Sequence, residues 1–327
     1  MLFLFRTNQF LLSIFFVIYA VILRYAFFIN THVEKAVPKG GIMSDWLYEM
    51  VDPQSTTAGI ISILLIVFQA IVINQMVTEY RMAKQITLFP GLFYILFGSF
   101  GLSLLPFSSG LIANTFVLLA IYQLMNVYKE HSAAANIFNV GFLISLASLF
   151  HYGYFIFIII ALLGLNILRG FRFKEILILL IGLITPYYFV GVYAYWYDFL
   201  PLLYETQISN FGFLDFNIQW NYNTIAVFAL YGLLLLIALL NFSRYNLSKR
   251  MHARKNIEIV FLALFFTSFI VFFQKNITAD DLIIVAPYLG ILLSFNFVNM
   301  DRSWAELFHG AIFIGALVLQ YLYLFGF

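Results

Sequence analysis

The chain of 327 residues contains no cysteine. Disulfides, thiol nucleophiles and cysteine-ligated metals are therefore excluded. Charge is almost as scarce: Asp, Glu, Lys and Arg make up 10% of the residues, against 63% hydrophobic, and the formal net charge is +2. So weak a global field gives no reason to expect a nucleic-acid partner. Histidine is limited to His32, His131, His151, His252 and His309, and none stands in an H-x-x-x-H or H-E-x-x-H pattern. Histidine-ligated zinc or iron chemistry thus has no local motif to rest on. No G-x-x-x-x-G-K-[ST] is present, which removes ATP-driven transport by this chain alone, and there is no G-x-S-x-G.

What the chain has in quantity is apolar sequence, with a mean hydropathy of +0.96. A span needs about 20 mostly apolar residues, and in hydrocarbon the backbone must satisfy its own hydrogen bonds. Apolar runs fall at about 10–29, 58–78, 87–105, 109–128, 136–150, 153–168, 175–195, 224–243, 257–274, 282–299 and 304–326. The expectation is an all-α, polytopic membrane domain over 1–327 with about eleven spans. The run from Phe10 to Ile29 exceeds a typical signal segment and lacks a small-x-small cleavage pattern, so it reads as a retained first span.

Threaded through these spans, the 17 Lys and Arg residues segregate. Arg6, Arg81, Lys84, Lys129, Arg169, Arg172, Lys174, Arg244, Lys249, Arg250, Arg254, Lys255 and Arg302 fall on one side. Lys35, Lys39 and Lys275 fall on the other, and Arg24 lies inside the first span. The positive-inside rule then places the N-terminus in the cytoplasm, with a basic inner loop at 244–256 and long outer loops at 30–57 and 196–223. The basic loop is sufficiently explained by insertion and by anionic lipid, although a cytoplasmic protein could also dock there. Acids do not set topology, yet nine of the 15 lie on the outer side.

Candidate chemistry accordingly gathers at the outer face. In the first loop Ser44 can cap a short helix running to Asp52, ahead of Pro53. Trp46, Leu47, Met50 and Val51 share one face of it; Asp45, Glu49 and Asp52 share the other. That pattern suits a helix lying on the bilayer surface, its carboxylates facing either water or a cleft. Asp280 and Asp281 open the tenth span, with Thr278 completing a capping box. The same two acids could hold Mg²⁺ or Mn²⁺ beside a substrate phosphate. Arg24 must snorkel, meet an anionic lipid phosphate or pair with an outer acid such as Glu34. The second long loop combines Tyr204, Glu205, Asp215 and Trp220 among other aromatics. This composition serves either an interfacial belt or a platform for sugar rings. Pro186 and Pro287 fall inside apolar runs, where proline can kink a helix.

Residues 109–195, including MNVYKEHSAAANIFNVGFLISLASLFHYGYF, resemble the middle of polytopic C-type glycosyltransferases that use polyprenyl-phosphate sugars. In both, a span ends in a basic turn, a span of small residues follows with a His/Tyr turn, and an Arg/Lys turn precedes a proline-bearing span. The segment DDLIIVAPYLGILLSF, beginning at Asp280, is similar to a late span of those enzymes. Long first and fourth outer loops complete the resemblance. It implies a transferase, active or degenerate, acting on a lipid-linked sugar at the outer face of a bacterial inner membrane. The acidic role would then fall to Glu34, Asp45, Glu49 or Asp52, lipid phosphate would meet Arg24 or Lys275, and 196–223 would carry substrate. The family usually places an Asp directly after the first span, whereas here Phe27 to His32 intervene and Glu34 is the first acid. The opening Phe5-Arg6-Thr7-Asn8-Gln9 also resembles inner-membrane proteins of flavobacteria. Two other classes fit the same residues: a non-catalytic subunit of a cell-envelope assembly, with another envelope protein as partner, and a lipid flippase or secondary transporter. The latter normally needs polar groups at mid-membrane and internal repeats.

Overall fold

The computed structural model describes residues 2–6, 13–29, 40–130, 132–209, 222–246, 249–270 and 279–321. Fourteen α-helices and several shorter turns make up these residues, which contain no strand. In order they are α1 (Ile14–Ile29), α2 (Ile42–Met50), α3 (Thr56–Glu79), α4 (Phe89–Phe97), α5 (Ser109–Asn126), α6 (Ala134–Phe150) and α7 (Ile156–Arg169). They continue with α8 (Phe173–Trp196), α9 (Leu200–Tyr204), α10 (Tyr222–Leu240), α11 (Phe242–Asn246), α12 (Met251–Ile270), α13 (Ala286–Asn299) and α14 (Arg302–Tyr321).

Each apolar run coincides with a helix, but the helices are not eleven equal spans. Among the described residues, five segments are long and apolar enough to cross a membrane: Thr56–Glu79, Ser109–Asn126, Tyr152–Arg169, Phe173–Trp196 and Arg302–Tyr321. The run at 87–105 is broken. Its helix α4 ends at Phe97, and a separate 3-10 turn forms at Leu102–Leu104. The run at 282–299 likewise opens with a 3-10 turn, Ala279–Ile284, before α13 begins. Pro287 therefore stands at the start of a helix, where it costs no hydrogen bond; Pro186 remains inside α8.

Burial explains this division. Every residue of α4 is buried, as is nearly all of α13, and the two pack on each other at the centre. A helix that is apolar all round has to be enclosed. By contrast α8 and α14 expose most of their apolar surface, as lipid-facing helices do. The closest helix pair is α6 and α8. A Cβ on Gly141 would stand 2.3 Å from the Leu179 carbonyl oxygen, and one on Gly182 would stand 2.3 Å from that of Phe138. Small residues let backbones meet this closely, which drives helix association where lipid supplies no hydrophobic force.

The break after α4 leaves carbonyls that no helix satisfies, and in a bilayer each must find a partner. Side chains from other helices supply them. The Arg24 guanidinium of α1 donates to the carbonyls of Gly98 (2.9 Å), Leu104 (3.1 Å) and Leu105 (2.9 Å), and to the hydroxyls of Ser62 (2.6 Å) and Ser99 (3.2 Å). Tyr231 of α10 donates to Phe97 O at 2.5 Å, and Gln320 of α14 to Ser99 O at 2.5 Å. Arg24 is 1% exposed, so it does not snorkel to the headgroups. Its five N–H donors all end on protein acceptors, which leaves none for a lipid phosphate.

The basic turns converge at one end of the bundle. Tyr80, just past α3, donates to Tyr122 O and to Asn126 of α5, and its ring meets His252 near the start of α12. Arg169, ending α7, donates to Val127 O and Glu130 O and pairs with Glu175 at 2.9 Å. Among the described residues, Asp45, Asp280 and Asp281 lie at the other end, where α5 starts.

Candidate functional site at the acidic end

The site is built where α5 starts, α6 ends and α13 is approached. Helix α2 lies across this point. It begins at Ile42 with Gly41 as its cap residue, so Ser44 is not the cap; the Ser44 hydroxyl instead donates back to Gly41 O at 2.6 Å. Gly41, Ser44 and Tyr48 share the face that docks on the protein. The Gly41 amide donates to Phe150 O at 2.7 Å, and a Cβ there would fall 2.1 Å from Leu149 O. Only glycine permits that approach. Trp46 and Met50 are exposed, at 59% and 63%.

Tyr48 anchors α2 to α5. Its hydroxyl accepts a hydrogen bond from the Ser109 amide at 2.8 Å, a donor at the helix start with no partner inside its own helix. Burial raises the Tyr48 phenol above its ordinary value; the bond from Ser109 opposes this, and the carboxylates of Asp280 and Asp45 add to it. The phenol therefore stays neutral, and both acids stand near it. Asp45 and Glu49 are both exposed. Asp52 organises the turn after α2: its carboxylate accepts from the Gln54 amide at 3.0 Å and its carbonyl from Ser55.

Directly below lies a pair that no sequence motif announces. His151 ends α6, with its Nδ1 accepting from the Gly153 amide at 3.2 Å. The proton is thereby left on Nε2, which faces Oδ1 of Asp281 at 3.4 Å. Both side chains are buried, and the Tyr152 ring stacks on the imidazole with centroids 5.3 Å apart. Asn114 of α5 locks the neighbourhood. It donates to Ile283 O at 2.7 Å, and its carbonyl oxygen shares the Tyr154 hydroxyl proton with Gly110 O.

Described parts of the two long loops meet here. Gln207, in the π-helical turn Glu205–Ser209 after α9, is buried. Its amide packs against Gly41, while Tyr187 bridges it to Ser148 of α6 (3.4 and 2.8 Å). Tyr204 and Glu205 are exposed beside it.

Of the residues singled out from sequence, the fold thus brings together Asp45, Asp280 and Asp281, with the Tyr204–Glu205 segment adjoining through Gln207. Arg24 is spent elsewhere, and Asp52 serves a turn. Glu34, Lys275, Asp215 and Trp220 lie outside the described residues. Asp281 faces His151 while Asp280 acts on Tyr48, and among the described residues no group of three or more acids or histidines gathers as metal ligands do. Tyr48 and Gln207 went unseen in the sequence, and His151 was read only as a turn residue, because each gains its place through tertiary contact.

No protein-family profile matches the chain, and no curated protein matches it. Among solved structures it is similar to ArnT from Cupriavidus metallidurans, bound there to undecaprenyl phosphate. The TM-score is 0.51 at 13% sequence identity, over 90% of this chain and 57% of ArnT. The chain thus spans little more than half of that protein. At this identity the likeness shows a fold: the chain is a multi-pass helical membrane protein of the ArnT-like architecture.

Proposed function

We propose that the chain binds a polyprenyl phosphate, or a sugar linked to one, at the acidic end of the bundle, as a C-type glycosyltransferase-like protein of a bacterial inner membrane. The carrying observation is the convergence of both long loops on His151–Asp281 and Tyr48 within a fold like that of ArnT. The charge segregation supports an outward-facing site, since the basic end would then face the cytoplasm.

In this reading α2 rests on the outer leaflet, with Trp46 and Met50 in lipid and Asp45 above the start of α5. An acceptor hydroxyl attacks the anomeric carbon of the lipid-linked sugar and passes its proton to a loop carboxylate, Asp45 in the first place, with Glu49 or Glu34 as alternatives. The bond from that carbon to the phosphate oxygen breaks, and its electron pair leaves with the polyprenyl phosphate. Lys275, close in sequence to Asp280, is the candidate cation for that phosphate. His151 and Asp281 hold the floor of the site, and the Tyr204–Glu205 segment borders it.

The test is a titration of the full chain in lipid nanodiscs with undecaprenyl phosphate, followed by transfer assays with lipid-linked sugars. Binding that weakens in Lys275→Gln, with turnover lost in Asp45→Asn, supports a transferase. Binding without turnover in any acceptor screen supports a non-catalytic subunit of an envelope assembly. The absence of binding removes the reading.

A further inference from the structure

A second polar cluster sits at the opposite, basic end. Helix α12 starts at Met251 directly after Lys249 and Arg250, carries Arg254 and Lys255 soon after, and has no acid in its first turn. The N-terminal end of a helix dipole disfavours cations, so this arrangement is unfavourable by itself. Burial first, and then the Lys84 ammonium, hold the Lys249 ammonium below its usual value.

The first turns of α12 pack on aromatic rings. The His252 imidazole lies parallel to the Tyr128 ring, with centroids 4.5 Å apart and planes 14° apart, and edge-on to Tyr80 at 5.7 Å. The ammonium groups of Lys255 and Lys129 stand 5.0 and 5.5 Å from the centre of the same Tyr128 ring. Both lysines act electrostatically on His252. Three cationic or basic groups therefore converge around one phenol ring.

Three buried polar atoms in this region have no hydrogen-bond partner among the described residues. Nε2 of His252 is enclosed and makes no hydrogen bond. Asn256 is 0% exposed, and neither its amide nitrogen nor its oxygen is bonded. The spacing of four places Asn256 on the same helix face as His252, one turn deeper. A buried amide with no partner among the described residues is costly, and it shares a helix face with the unbonded Nε2 of His252, beside Lys255, whose ammonium also donates to Leu168 O at 3.2 Å.

We propose that His252, Asn256, Lys129 and Lys255 bind a phosphate-bearing anion at the basic end. The lysines supply charge, the Asn256 amide donates, and the bound anion favours the second imidazole N–H of His252. The anion also supplies the negative charge that the start of α12 lacks. This site stands apart from the proposed polyprenyl-phosphate site and does not depend on it. The phosphate can belong to an anionic lipid headgroup or be free in solution, and the experiment separates these sources.

The full chain is placed in phosphatidylcholine nanodiscs. Phosphatidylglycerol is titrated in one arm and inorganic phosphate in the other, with bound species counted by native mass spectrometry. The expected result is saturable retention of phosphatidylglycerol, weakened about tenfold in Lys129→Gln and Lys255→Gln, each of which removes one charged contact. Asn256→Asp, which sets a carboxylate in the recess, should abolish it. Lys129 is exposed, so its variant tests the site without disturbing the fold. Retention of inorganic phosphate with the same variant pattern would assign the free anion. Retention of neither species, or retention unchanged in all three variants, would overturn the proposal and leave Asn256 bonded to water.

Discussion

Nε2 of His151 and Oδ1 of Asp281 face each other at 3.4 Å, both buried, though one ends α6 and the other belongs to the turn that leads into α13. Gly110 makes the meeting possible from the side of α5: a Cβ there would stand 3.0 Å from Ile283 and 3.8 Å from the imidazole. If the pair is one interaction, His151→Ala and Asp281→Ala should each destabilise the protein. The double variant should cost less than their sum by about 1–3 kcal/mol, as measured by thermal unfolding in detergent. Additive effects would mean that the two side chains act separately.

Arg24 serves the broken helix. Replacement by Met strands the carbonyls of Gly98 and Leu104, leaves Leu105 O with the Ser62 hydroxyl, and should cost at least about 3 kcal/mol. Lysine keeps the charge but not the planar five-donor fork, so Arg24→Lys should fall between. Midpoint temperatures of the purified variants decide the order.

Tyr48→Phe removes the acceptor for the Ser109 amide and should cost about 1 kcal/mol, as the loss of a helix cap does. The Tyr48 phenol is raised above 10.0 in the folded chain by burial. Its contribution is therefore complete below pH 10 and is lost as the pH rises through and beyond that value. The stability difference between the parent and Tyr48→Phe should shrink above pH 10 and stay constant below it.

Gly41→Val would drive a side chain into the Leu149 carbonyl and the Gln207 amide. Helix α2 should lift from α6 while the bundle remains folded. Protease cutting between 40 and 56 should accelerate at least several-fold, with no comparable change at other sites.

Much of the architecture was legible because hydrocarbon imposes a simple grammar: each apolar run coincides with a helix, and the basic turns meet at one end. The short helix at Ile42–Met50 was readable from its two faces, but its cap was misplaced, since Gly41 is selected by backbone approach rather than by side-chain hydrogen bonding. The break after Phe97 was hidden inside a continuous apolar run, as hydropathy does not register which carbonyls lack partners. Arg24 looked like a headgroup ligand for the same reason: its acceptors come from a helix end that only the fold reveals. His151 and Asp281 were noticed separately, one as a turn marker and the other as half of an acid pair, because nothing local relates positions so far apart in sequence.

The central claim is that the acidic end receives a polyprenyl phosphate. Its most direct test is photo-cross-linking with a diazirine-bearing undecaprenyl phosphate in nanodiscs, with adducts mapped by mass spectrometry. The account predicts adducts on α2 and around Tyr48, Tyr152 and Tyr204, competed away by unlabelled undecaprenyl phosphate. Adducts spread evenly over the lipid-facing sides of α8 and α14, with no competition, would contradict it.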